Sequence, residues 1–219
     1  MRKEVDNFNL IADRFFNESN GVLDEDTFFF VQILVRGKDG HHVSGNNKNR
    51  LVKYYTITSK QQLLDLKEEI IGISKAVTGR VYIHPAARSF KEVANVALEL
   101  TTHTYVSQNW VGMRSVFSTA AGKSFIVKDK KYIVDIDDVD LTTAEGQHKV
   151  ETISERIKEI QEIRGKGGNN ADKVFLVVPT KSGAHLITYP FDVDTFQKSF
   201  PNIDVHKNNP TLLYFSWEE

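Results

Sequence analysis

Apolar residues recur along this chain in two rhythms, steps of three and four residues and short unbroken runs, which predict a mixture of helices and strands. From Lys3 to Phe16 the positions Val5, Phe8, Ile11, Ala12, Phe15 and Phe16 keep the helical step until Asn20-Gly21 interrupts it. Phe28 to Val35 is an aromatic and β-branched run, the composition of a buried strand, and Leu51 to Thr58 is its return. The two read as a hairpin around a Gly- and Asn-rich loop, Gly37 to Asn49, with Arg36, Lys38, His41, His42, Lys48 and Arg50 in or beside it. Neighbouring histidines on such a loop suit solvent or phosphate better than a shared metal.

Ser59 stands where an N-cap belongs for a helix from Lys60 to Ser74, whose Leu63, Leu64, Leu66 and Ile70 make an apolar stripe. Arg80 to His84 reads as a strand stopped by Pro85, and Ser89 as the cap of a helix over Phe90 to Leu100. Thr101 to Gly122 is polar and without clear period, with Trp110 and Arg114 as possible anchors. Ser124–Val127 and Tyr132–Ile136 suggest a hairpin turning at residues 128–131. Thr142 or Thr143 then opens a long helix with Val150, Ile153, Ile157, Ile160 and Ile163 inward, ending at a basic Gly-rich loop, Arg164 to Asn170. Lys173–Pro179 and Ala184–Tyr189 form a tight hairpin through Thr180-Lys181-Ser182-Gly183. A short helix over Val193 to Phe200 precedes strands at Asn202–His206 and Thr211–Trp217. The expected class is α+β, with an N-terminal α/β module over 1–122 and a second module over 123–219.

Composition narrows the chemistry. The chain has 219 residues, enough for one large domain or two closely packed small ones. It has no cysteine, so disulfides, thiol catalysis and cysteine-based zinc elements are excluded. No apolar run is long enough for a membrane span, and Met1 to Asp6 lacks a signal-peptide core, so a soluble cytoplasmic protein is expected. Basic and acidic residues nearly cancel, 28 against 29, which argues against a strong sequence-blind grip on nucleic acid by the chain as a whole.

Against this background one stretch stands out, Lys131-Tyr132-Ile133-Val134-Asp135-Ile136-Asp137-Asp138-Val139-Asp140. In a strand Asp135 and Asp137 project to the same side, two positions apart. Paired carboxylates repel unless a cation or proton lies between them, so the strand reads as the edge of a divalent-metal site. The run lacks the glycine and the distant glutamate of an EF-hand loop. The chain also has no His-Glu-x-x-His zinc motif and no Gly-x-x-x-x-Gly-Lys-Ser/Thr phosphate loop.

Three motifs in order then carry a resemblance. Val134-Asp135-Ile136-Asp137 is followed by Gly183-Ala184-His185-Leu186-Ile187 and by Ile203-Asp204, with Lys207-Asn208 ahead of Leu212-Leu213-Tyr214. In this order they resemble the archaeo-eukaryotic primase superfamily, which includes primase-polymerases and end-joining repair polymerases. The resemblance covers residues 124–219 and implies an RRM-like antiparallel sheet carrying the catalytic groups. It implies Asp135, Asp137 and Asp204 as ligands of two Mg2+ or Mn2+ ions about 4 Å apart, the spacing of two-metal sites in general. It further implies His185 as a catalytic contact to the incoming nucleotide, with Lys181, Ser182, Gly183, Lys207 and Asn208 as further nucleotide or primer contacts.

The expected activity is template-directed nucleotidyl transfer from nucleoside triphosphates on a single-stranded DNA template or primer-template. Without a zinc element or an attached helicase or ligase domain, primer extension is expected over unaided priming, with a helicase or other replication protein as possible partner and no membrane. Such a small enzyme suits a phage or mobile element by analogy alone. Two other readings use the same residues: a non-catalytic nucleic-acid- or partner-binding module, and a metal-dependent nuclease with water as nucleophile.

Overall fold

The computed structural model describes residues 2–17, 20–39, 49–126, 129–160 and 173–218. His41, His42 and Lys48, the turn positions Val127 and Lys128, Ile163, and the basic loop Arg164 to Asn170 lie outside the described residues.

Two antiparallel sheets carry the fold. The first has the order β1 (Arg2–Asp6), β10 (Thr211–Glu218), β4 (Arg80–Ile83), β2 (Thr27–Arg36), β3 (Asn49–Ile57), with the two-residue β5 (Arg88–Ser89) paired to the start of β2. The second has the order β7 (Val174–Pro179), β8 (Gly183–Thr188), β6 (Tyr132–Asp137), β9 (Asp204–His206). Helix α6 (Ala144–Glu159) follows β6, and α7 (Val193–Ser199) follows β8, so the second sheet is a β-α-β-β-α-β unit. The mixed α+β class is as expected.

Strand alternation explains which face of the second sheet is covered. Tyr132, Val134 and Ile136 of β6, with Ala184 and Leu186 of β8, join Val150, Ile153 and Ile157 of α6 and Phe191 and Phe196 in one buried cluster. The opposite face meets the first sheet, where Val178 and Ile187 join a larger core with Phe29, Val31 and Ile33 of β2, Val81 and Ile83 of β4, and Phe8 and Ile11 of α1 (Phe8–Phe15). Burying side chains of this kind is worth about 1.5–3 kcal/mol each, and the two sheets share this core. Asn7, itself buried, adds a polar tie: its Nδ2 donates to the carbonyls of Pro179 on β7 and Leu212 on β10, both at 2.9 Å.

The two caps read from the sequence, Ser59 and Ser89, are in place, and of Thr142 and Thr143 it is Thr143 that caps α6. Ser59, Ser89 and Thr143 each accept a hydrogen bond from the backbone N–H three residues on, at 3.1 Å.

Several expectations are corrected. Residues 3–16 are not one helix, because the chain from Arg2 to Asp6 pairs with β10 as a strand and α1 starts only at Phe8. The stripe after Ser59 divides at Leu66 into α2 (Lys60–Asp65) and α3 (Lys67–Val77). Thr101 to Gly122 is mostly helical: α4 (Phe90–Val106) runs on past Leu100, a 3-10 segment covers Trp110–Ser115, and α5 (Val116–Lys123) follows. Its period was hidden because the last turns of α4 bury little besides Thr104. Residues 124–126 form no strand, since β8 and β9 already occupy both edges of β6 and the Ile126 N–H turns to the Ala87 carbonyl at 3.0 Å. Finally, β10 leaves the 123–219 segment to sit between β1 and β4, so the last strand belongs to the first sheet.

Candidate active site

The acidic strand is the inner strand of the second sheet, and its register gathers the residues that the sequence separates. Asp135 lies opposite His185 on β8 on one side and opposite Asp204 on β9 on the other. Residues directly opposite in antiparallel strands share a face, with Cβ atoms about 4.5–5.5 Å apart. Asp137 lies on that face two positions along, opposite Gly183. The helices cover the other face, so burial of Tyr132, Val134 and Ile136 is what turns Asp135 and Asp137 outward. Three of the four groups thus lie abreast across three strands, and the fourth lies one pleat further on.

His185 connects this row to the first sheet. Its Nε2 is 3.4 Å from Asp135 Oδ1, and its Nδ1 is 2.9 Å from the hydroxyl of Thr211, a fully buried residue at the start of β10. With the proton on Nε2 the Thr211 hydroxyl donates to Nδ1, and in either tautomer the two contacts fix the orientation of the ring. Thr211 is a positioning residue that sequence reading missed, and a lone threonine opening an apolar strand offers no signal for it.

Gly183 has a packing reason for its identity. A Cβ built there would lie 2.0 Å from the Ile136 carbonyl oxygen, so only glycine lets β8 approach β6 at this point. The Thr180 N–H donates to the Gly183 carbonyl at 2.9 Å, closing a hairpin with Lys181 and Ser182 at its tip, both exposed. The Ser182 carbonyl accepts from the Asp138 N–H at 2.9 Å, which ties the tip to the end of the acidic strand. Lys181 Nζ lies 5.5 Å from the Trp217 ring and 5.9 Å from the Phe215 ring, at the junction of the two sheets.

The remaining residues divide by task. Lys207 is exposed just beyond β9, its Nζ 6.0 Å from the Tyr132 ring. Asn208 works as a brace: its Oδ1 accepts from buried Arg88 and its Nδ2 donates to the Gly122 carbonyl, each at 3.2 Å. Asp138 takes a left-handed backbone (φ 54°) as the chain leaves the strand. Asp140 accepts from both the hydroxyl and the N–H of Thr142, and these bonds hold its carboxyl below the usual carboxylate range. It is thus engaged in the turn that leads into α6. Lys149 of α6, also missed in the sequence, donates to the Asp137 carbonyl at 3.2 Å.

Among the described residues no three His, Asp or Glu side chains are drawn together closely enough to hold an ion. The donors are nevertheless of the right kind: three carboxylates and an imidazole share one face, with Asp135 and Asp204 directly opposed. Like charges so placed are destabilising unless a cation lies between them, and an oxygen-rich set suits Mg2+ or Mn2+. No described helix is long and apolar enough to cross a membrane. Comparison with protein-family models, with curated proteins and with solved structures finds no match.

Proposed function

We propose that this chain is a metal-dependent nucleotidyltransferase of the primase-polymerase type, extending a nucleic-acid strand on a template. The observation that carries the proposal is the register of the second sheet, in which Asp135 stands between His185 and Asp204 with Asp137 on the same face. Sixty-odd residues of chain separate Asp135 from Asp204, yet the two face each other across adjacent strands. A β-α-β-β-α-β unit of this strand order is also what an RRM-type sheet has, in line with the resemblance of the motifs.

In this reading Asp135, Asp137 and Asp204 would hold the ions. Such ions, when bound, lower the pKa of an attacking hydroxyl and offset charge on a transferring phosphoryl group. The chain's own groups then supply orientation. His185, braced by Thr211, directs Nε2 over the open face, where a phosphate oxygen can replace Asp135 as its acceptor. Lys181 and Ser182 at the exposed hairpin tip offer a point charge and a hydroxyl to the same triphosphate, and Lys207 offers a second charge beyond Asp204.

The test is a primer-extension gel with labelled primer, single-stranded template, Mg2+ or Mn2+, and ribo- or deoxyribonucleotides, beside a no-primer lane. Wild-type protein is expected to extend the primer, and Asp135→Ala and Asp137→Ala to lose all incorporation. Undiminished incorporation in either variant would sink the assignment. Degradation of the labelled strand without added nucleotides would point to a nuclease, and strand binding with no incorporation under any metal to a binding module.

A further inference from the structure

The chain between Asp204 and Thr211 serves both halves of the candidate active site. Asp204 stands at its start on β9, in the second sheet. Thr211 stands at its end on β10, in the first sheet, with its hydroxyl on His185. Strand β9 is only three residues long and lies at the edge of its sheet, paired with β6 alone. Local opening is easiest where a segment is held least, and a one-sided ladder of three residues holds little. The seat of Asp204 therefore needs a second anchor.

Asn208, in the middle of this segment, supplies it. Both ends of its amide are engaged: Oδ1 accepts from Arg88 Nη2 and Nδ2 donates to the Gly122 carbonyl, each at 3.2 Å. Arg88, fully buried on β5, is a fixed post. Its guanidinium also reaches the carbonyls of Ala86 and Ala121 and the Nδ1 of His84, all at 2.7 Å. None of these partners is a carboxylate, and Asp129 acts on Arg88 only through space. A buried charge without a carboxylate in contact is costly to keep, so packing alone gives no reason for it.

We infer that Asn208, held by Arg88, is a positioning residue for Asp204: it pins the segment that carries this carboxylate and so sets the grip of the site on a divalent cation. The inference rests on reading Asp135, Asp137 and Asp204 as the metal donors. It places Asn208 on the metal side of the site rather than against the nucleotide, because both ends of its amide are turned into the protein. The same peg also steadies the approach to Thr211, three residues on, and through it the ring of His185.

The experiment is Mn2+ binding to the full chain without nucleotide, followed by electron paramagnetic resonance of the free ion, in a double-mutant cycle of Asn208→Ala and Asp204→Ala. Asn208→Ala is expected to weaken Mn2+ binding about tenfold, the low end for removing a group that supports a metal ligand. In the already weakened Asp204→Ala protein, the same substitution is expected to change the affinity no further, because its effect runs through Asp204. A merely structural loss would carry the same factor into both backgrounds, and that result overturns the inference. So does unchanged Mn2+ affinity in Asn208→Ala when Asp204→Ala has lost it. Undiminished affinity in Asp204→Ala would instead overturn the metal reading, and this inference with it, so the two failures are told apart.

Discussion

His185 depends on a hydroxyl that comes from the other sheet. The Thr211 Oγ–His185 Nδ1 contact joins β10 to β8, so the ring that faces Asp135 is held from behind by a strand of the first sheet. Thr211→Val keeps the shape and removes the hydroxyl, leaving His185 Nδ1 without that partner. We expect lower kcat for incorporation with the thermal midpoint little changed, and recovery in Thr211→Ser. A loss of stability without any change in kcat would mean that the hydroxyl only supports packing. The role of Asp135 and Asp137 was legible from spacing alone, because two positions along a strand always share a face. That of Thr211 was not, because it arises from a contact between residues 26 apart in different sheets.

At the scale of elements, the site exists because β6 has a neighbour on each edge and helices on one face only. Its register is enforced at Gly183, where the Ile136 carbonyl fills the space of a side chain. Gly183→Ala must push the two strands apart or shift the hairpin. The expected cost is about 1–3 kcal/mol, the usual scale of overpacking. A lower thermal midpoint together with loss of nucleotide incorporation would check it, and an unchanged midpoint would show that β8 yields freely. Caps at Ser59, Ser89 and Thr143 were readable because a cap is a local bond, three residues in reach. The strand at Arg2–Asp6 was not, since Val5 fits a helical period and only pairing with Phe215 on β10 makes it a strand.

Across the whole molecule, a buried polar knot ties the first sheet to the loop that follows β9. Arg88 is fully buried, and its guanidinium donates to the carbonyls of Ala121 and Ala86, to His84 Nδ1 (all 2.7 Å) and to Asn208 Oδ1 (3.2 Å). Burial lowers the Arg88 pKa to about 10, still far above neutrality, so the group stays charged. Burial first, and then this adjacent charge, push His84 well below the ordinary histidine range. The folded protein therefore keeps His84 neutral where the unfolded chain takes up a proton. Stability from this group is complete above about pH 6.5, the ordinary histidine pKa, and falls as pH drops below it, by up to about 1.4 kcal/mol per pH unit. Urea unfolding between pH 7.5 and 5 is expected to show that slope, and His84→Gln to flatten it. An equal slope in both proteins would assign the acid sensitivity elsewhere.

The sequence by itself determined the α+β class, the helix caps, the tight hairpin through Thr180–Gly183, and the acidic pair with its outward face. All of these rest on contacts within a few residues or on strand alternation, which local order carries. Tertiary structure alone decided that β10 returns to the first sheet, that residues 124–126 pair with nothing as a strand, and that Asp135 stands between His185 and Asp204. Those outcomes depend on which strand edges remain open once the core of Val178, Ile187 and β2 has closed. An edge is a property of the assembled sheet, and no single segment of the chain encodes it.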